Sequence, residues 1–279
     1  MKLVRFQDGS RESYGVMTDA GIADVGELLQ SHCPTLESAL SLPGRVETAI
    51  KDAVVVDPES VVLLSPVTNP GKIVCVGLNY KSHIAETGRD TPDYPILFTR
   101  YPDSLVGSGA PLVRPKVSTN FDFEGELAFV IGKAGRHIGR AQALEHVAGY
   151  ACFNDGSIRD YQRHTSQFLP GKSFYRSGSF GPYLVTADEA GPVEDMHLQT
   201  RLNGAVMQDT SVSDLLFGVE DLIVYLSKIW PLQTGDVIAT GTTGGVGAFR
   251  EPKLWMQPGD TIEVEISGLG VLSNTIIDE

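Results

Sequence analysis

Two clusters of residues in this chain have the types and spacing for chemistry. The first is Phe121-Asp122-Phe123-Glu124-Gly125-Glu126, which leads into Leu127-Ala128-Phe129-Val130-Ile131, an apolar run long enough for a strand buried on both faces. Side chains alternate along a strand, so Asp122, Glu124 and Glu126 should share a face with Ala128 and Val130. Carboxylates gathered at the buried end of a strand repel one another and lose hydration, a cost of several kcal/mol unless something positive sits among them. A hard divalent cation meets that need, and Asp155, following a second strand over Tyr150–Phe153, offers a third oxygen ligand. The competing reading makes Glu124 and Glu126 the solvated face of an edge strand. Gly125, which leaves room for close approach, and the matching position of Asp155 weigh against it. The second cluster is His83 and Glu86. Asn79 or Ser82 can cap a short helix that Gly88 terminates, which makes this pair i, i+3 neighbours. A carboxylate beside imidazole orients the ring and raises its basicity, as a general base acting through water requires. A plain surface pair is the alternative; the position directly after the buried strand Lys72–Leu78 favours function.

The rest of the chain must position these groups. Its 279 residues allow one large domain, or one large and one small, and 42% hydrophobic content is enough for a real core. A net charge of −13 argues against nucleic acid and against anionic membrane surfaces as partners. Cys33, Cys75 and Cys152 are widely spaced in apolar surroundings and read as reduced core residues of a soluble, cytoplasmic protein; no apolar run reaches spanning length. Residues 1–68 read as a small β-rich domain, with strands over Lys2–Phe6, Ser13–Met17, Ile22–Val25 and Ser60–Leu64 and short helices over Gly26–Ser31 and Leu36–Leu42. A boundary is expected at Pro66–Gly71, and residues 69–279 hold the candidate chemistry. There a helix is predicted over Arg140–Gly149, and Asp160–Lys172 reads as a mobile loop or lid in which His164 is a surface residue. A hairpin turns at Asn203-Gly204, and a helical region runs from Ser213 to Trp230. Thr261–Ile266 and Val271–Ile277 form a closing hairpin. Gly241-Thr242-Thr243-Gly244-Gly245-Val246-Gly247 suggests backbone approaching a ligand. The fold class predicted from these patterns is α+β, β-dominated, with a few helices packed outside.

Taken in order, Gly77-Leu78-Asn79-Tyr80 with His83 and Glu86, Phe123-Glu124-Gly125-Glu126-Leu127, Asn154-Asp155 with Ser157, Arg159-Asp160 and Gln162, Gly171-Lys172-Ser173-Phe174, Phe180-Gly181-Pro182, and Gly241-Thr242 with Gly245-Val246-Gly247 resemble the fumarylacetoacetate hydrolase superfamily. The match spans roughly residues 70–250, and the first 65 residues resemble the variable N-terminal domain of many bacterial members. The resemblance implies a mixed β-sandwich roll in the catalytic domain, a homodimer, and Mg²⁺ or Mn²⁺ in the site. It implies Glu124, Glu126 and Asp155 as metal ligands and His83 and Glu86 as the catalytic dyad. Gln162 and Lys172 match polar residues at the substrate, and Tyr80, Arg100, Arg159 and Thr242 match substrate-binding positions. Arg100 stands where many members have Lys, and an arginine can grip a carboxylate as a fork. Thr243-Gly244 replaces a Pro-containing pair, and Arg163–Pro170 is longer than in the smallest members; these departures bear on substrate identity.

The chemistry expected first is metal-dependent hydrolytic C–C cleavage of an acylpyruvate-type 1,3-diketo acid. The cation chelates the keto (or enolate) and carboxylate oxygens, His83 and Glu86 activate water, and Lys172 and Gln162 stabilise the enolate. The same machinery suits oxaloacetate decarboxylation or tautomerisation, or isomerisation of a 2-hydroxyhepta-2,4-diene-1,7-dioate-type acid in aromatic catabolism. A keto-acid-binding protein without turnover is the reading from another class; the His–Glu pair argues against it.

Overall fold

In the computed structural model, which describes residues 1–279 apart from the side chain of Pro43, the strand Gly125–Ile131 is buried along its whole length. Its side chains divide between two cores. Leu127, Phe129 and Ile131 meet the helix Val219–Ile229 and a second sheet, whereas Ala128 and Val130 meet residues of the N-terminal segment. Burial of this kind contributes about 1.5–3 kcal/mol for each large side chain.

The strand lies within a twelve-stranded mixed sheet. Its order is Val54–Val56, Gly21–Asp24, Arg11–Thr18, Lys2–Asp8, Gly178–Thr186, Val147–Asn154, Gly125–Ile131, Val237–Thr242, Ile73–Gly77 and Ile96–Thr99. Val62–Leu64 and Leu105–Val106 pair off this path. The expected N-terminal strands form, but their sheet does not stop at residue 68: Lys2 and Leu3 pair with Val185 and Leu184, which joins the first segment to the larger one by backbone hydrogen bonds. A five-stranded sheet, ordered Ala205–Ser211, His197–Leu202, Thr261–Ile266, Gly270–Asp278 and Leu112–Arg114, covers the other face. The Asn203-Gly204 turn has both residues at positive φ, 52° and 77°, as a two-residue hairpin demands.

Four local expectations are corrected. The helix predicted to reach Gly149 is a 3-10 segment that ends at His146, because Val147 onward is drawn into the central sheet beside Gly125–Ile131. The helix predicted from Ser213 begins at Val219, where the Asp221 carboxylate accepts the Gly218 N–H at 3.2 Å. The stretch Phe121–Glu126 is not one strand. Phe121–Asp122 pairs with Ser157–Ile158 in a separate ribbon, and the main strand starts only at Gly125. Asp122 therefore leaves the row that alternation assigned to it. The segment read as a lid contains two short helices, Arg159–Gln162 and Leu169–Lys172, and its end is buried rather than loose.

Candidate active site

Glu124 precedes the central strand, Glu126 lies near its start, and Asp155 follows the neighbouring strand Val147–Asn154. Backbone pairing of Gly125 with Asn154 and an Asp155 N–H donated to the Glu124 carbonyl at 2.8 Å hold these ends in register. One oxygen from each of the three carboxylates lies within 4.8 Å of the others, and the residues are 5%, 1% and 0% exposed. All donors are acceptor-only oxygens, the set preferred by hard divalent cations over soft ones.

Cations of the chain already neutralise part of this cluster. Lys172 Nζ donates to Glu124 Oε2 at 2.6 Å and to Asp155 Oδ2 at 2.7 Å. Arg159 Nη1 lies 2.6 Å from Glu124 Oε1, and its Nε donates to Asp122 Oδ2 at 2.7 Å. Burial alone would push the Glu124 carboxyl up, but Lys172 and Arg159 overcome it and hold the group at about 2. Glu126 is different. Burial and then the charges of Asp155 and Glu124 push its carboxyl well above the usual range, and its protein donor is a backbone amide, Gly241 N–H at 2.9 Å. A buried carboxylate set with one member short of positive charge fits a divalent cation.

The amides of the glycine-rich segment that ends Val237–Thr242 and follows it bind the acids. Gly241 N–H binds Glu126, Gly245 N–H binds Glu86 Oε1 at 2.9 Å, and Gly247 and Ala248 N–H bind the two oxygens of Asp122 at 2.8 and 2.9 Å. Gly245 sits at φ 104°, and a Cβ there would lie 2.2 Å from the Met207 carbonyl oxygen, so both conformation and space require glycine.

His83 and Glu86 lie on the helix Lys81–Thr87, with His83 Nδ1 3.0 Å from Glu86 Oε2. A carboxylate only accepts, so Nδ1 is the donor of this contact, which in the neutral imidazole leaves the lone pair on Nε2. The ring packs edge-on to Phe249 at 5.9 Å between centroids. His83, Glu124, Glu126, Arg159, Gln162, Lys172 and Thr242 all line one cavity of about 540 Å³.

Two expected substrate contacts lie elsewhere. Arg100 is buried beneath the acids: Nη1 donates to Asp155 Oδ1 and to the Gly156 carbonyl at 2.9 Å, Nη2 to Ser177 Oγ at 2.8 Å, and Nε to Ser104 Oγ at 3.2 Å. It does grip a carboxylate, but that of Asp155. Tyr80 is fully buried, bridged through its backbone to Leu215, and does not line the cavity. Thr242 does line it, but its hydroxyl donates to the Gly125 carbonyl at 3.0 Å and accepts from Gln208 Nε2 at 2.7 Å. Gln162 accepts from Arg159 Nη1 at 2.9 Å through its oxygen, and Arg159 Nη2 is buried with no partner.

Sequence reasoning missed the roles of Asp122 and Gln208. Asp122 ties Arg159 to the glycine segment, and Gln208 joins Gly125, Thr242 and Thr243 from the hairpin strand. A buried glutamine gives no local signal, because its partners are distant in sequence.

Residues 72–277 match the fumarylacetoacetate (FAA) hydrolase C-terminal family. A mitochondrial oxaloacetate tautomerase of Rattus norvegicus is 36% identical over 289 residues, covering 99% of this chain and 92% of the relative. The structure of a fumarylacetoacetate hydrolase from Exiguobacterium antarcticum superposes with a TM-score of 0.88 at 35% identity, covering 100% of both chains. A maleylpyruvate hydrolase from Sphingobium sp. SYK-6, solved with manganese(II) and pyruvate, gives a TM-score of 0.83 at 26% identity and covers 100% of this chain and 99% of that chain.

Proposed function

This chain belongs to the fumarylacetoacetate hydrolase family, and on that premise we propose that it is an enzyme dependent on Mg²⁺ or Mn²⁺ that interconverts the enol and keto forms of a small 2-keto acid of the oxaloacetate type. The observation that carries this reading is a single cavity walled both by Glu124 and Glu126 and by the imidazole of His83. The relative named oxaloacetate tautomerase, matched over nearly the whole chain, supports the choice of substrate.

Glu124, Glu126 and Asp155 would hold the cation, which when bound supplies a Lewis acid for the keto and carboxylate oxygens of an acid. His83 Nε2 takes the proton from the carbon next to the keto group, and the imidazolium so formed gives it to the keto oxygen to complete the enol. In the reverse direction it takes the enol O–H proton and returns it to that carbon. Glu86 accepts from Nδ1, so the imidazolium formed during the transfer stays in place and gains a counter-charge. Gly245 N–H keeps Glu86 from rotating away. The unpartnered Arg159 Nη2 and the Gln162 amide nitrogen are donors for the negative oxygens of the substrate. Lys172 contributes positive charge beside the same acids.

A second reading is hydrolytic C–C cleavage of an acylpyruvate, in which His83 activates a water instead of deprotonating carbon. The maleylpyruvate hydrolase with manganese and pyruvate supports it, as does a cavity larger than a four-carbon acid requires. Both readings treat the enzyme as a homodimer, which light scattering in solution tests directly.

Freshly dissolved enol-oxaloacetate and an acylpyruvate, each assayed with Mg²⁺, with Mn²⁺ and with EDTA, separate the two. The expected result is faster loss of the enol, abolished by EDTA and reduced about 10²–10⁴-fold in His83→Ala, whose Mn²⁺ affinity stays at the parent value. Cleavage of the acylpyruvate without any effect on the enol would replace tautomerisation by hydrolysis. Parent-rate catalysis by His83→Ala would remove the imidazole from either mechanism.

A further inference from the structure

The cavity wall holds two arginines that nothing in the protein uses. Arg89 and Arg163 both line it and are exposed, and neither makes an ion pair or hydrogen bond through its guanidinium with any described residue. The other cations of the wall are committed, Arg159 to Asp122 and Glu124, and Lys172 to Glu124 and Asp155. Glu124 and Glu126 are the only carboxylates in the wall among the described residues, so no acid there neutralises the outer pair. In a chain with 35 acidic against 22 basic residues, two unneutralised arginines in one cavity wall are a pronounced local excess of positive charge.

Their positions in the chain set them outward from the reacting end. Arg163 follows the buried Arg159 by four residues across the short helix Arg159–Gln162, about 6 Å along the axis. Arg89 follows His83 by six residues and lies just beyond Gly88, whose left-handed conformation (φ 65°) ends its helix. Each segment thus runs from a buried group in the site to an exposed arginine. Leu78, Ile96, Phe98, Phe168 and Phe249 add apolar surface to the same wall, suited to a short carbon chain.

We propose that Arg89 and Arg163 bind a second carboxylate of the substrate, at the end remote from its keto-acid group, and so select dicarboxylic keto acids over monocarboxylic ones. The inference rests on the keto-acid reading above and extends it to the far end of the molecule. A planar guanidinium matches a carboxylate fork to fork. Because both arginines are exposed, the gain is modest and sensitive to salt.

Calorimetric titration of the full chain in excess Mg²⁺ with three acids tests it. Oxalate carries only the inner recognition element. 2-Oxoglutarate and 2-oxopentanoate share a five-carbon skeleton and differ by the distal carboxylate. The expected preference for 2-oxoglutarate over 2-oxopentanoate is about tenfold, shrinking as salt is raised and collapsing toward one in the double variant Arg89→Gln/Arg163→Gln. Oxalate and 2-oxopentanoate should bind that variant as they bind the parent. If oxalate binds but the two keto acids bind equally, or if the preference survives both substitutions, the second-carboxylate site is overturned and the keto-acid reading stands. If none of the three acids binds, the keto-acid reading itself falls, and this inference with it.

Discussion

Glu126 is the residue on which the site's electrostatics turn. Its neighbours Glu124 and Asp155 share Lys172, while Glu126 has a backbone amide. Burial and the two nearby acids raise its proton affinity, so in the metal-free protein a proton competes with the cation for its oxygens. The sign follows: a cation that takes the carboxylate form releases the proton, so its affinity weakens as pH falls. Mn²⁺ titrated in two buffers of different ionisation enthalpy should show net proton release, and a heat independent of buffer would sink this assignment. Glu126→Gln keeps the shape and the Gly241 contact but removes the charge, and should weaken Mn²⁺ binding at least about tenfold. Unchanged affinity would mean that the cation sits elsewhere. Arg100 illustrates the opposite situation: its donors are spent on Asp155, Gly156, Ser104 and Ser177, so it fixes Asp155 and does not line the cavity.

At the scale of elements, the segment 241–248 aligns the acids of three different pieces of chain. Its amides reach Glu126 on the central strand, Glu86 on the helix Lys81–Thr87, and Asp122 on the short ribbon. Gly245→Ala forces a Cβ against the Met207 carbonyl and strains a positive φ. We expect a stability loss of about 1–3 kcal/mol and turnover reduced at least about tenfold. Thermal melts and steady-state rates measure the two effects, and a variant with parent melting temperature and parent rate would show that the segment does not organise the site. The helix Val219–Ile229 acts through packing instead, since Leu222, Ile223 and Leu226 fill the core behind the strand that carries Glu126.

For the whole molecule, the question is whether residues 69–279 stand alone. The first segment pairs with Gly178–Thr186 and covers Ala151, Phe153, Phe180 and Leu184. Its removal would bare a sheet edge and several side chains worth about 1.5–3 kcal/mol each. The truncated chain 69–279 is therefore expected to aggregate or to melt without cooperativity, as turbidity and calorimetry would report. A soluble fragment with a sharp transition would establish two independent folding units. No helix among the described residues is long and apolar enough to cross a membrane.

What the sequence determined by itself lies in short-range patterns. The apolar run 127–131, the Asn203-Gly204 turn, the helix from His83 to Glu86 and the stripe over Leu222, Ile223 and Leu226 follow from side-chain alternation, turn preference and helical repeat, which neighbours in the chain dictate. The proximity of Glu124, Glu126 and Asp155 was foreshadowed because two of them are adjacent but one and the third ends a recognisable strand. Tertiary structure alone decided where polar groups find partners. Asp122 left the expected row for Arg159, Arg100 turned inward to Asp155, Tyr80 was buried away from the cavity, and the strand at Val147 displaced a helix. A buried charge must be matched by whatever donor the fold brings within about 3 Å, and that donor can lie more than a hundred residues away along the chain, as Ala248 does, 126 residues from Asp122, where no local pattern reaches.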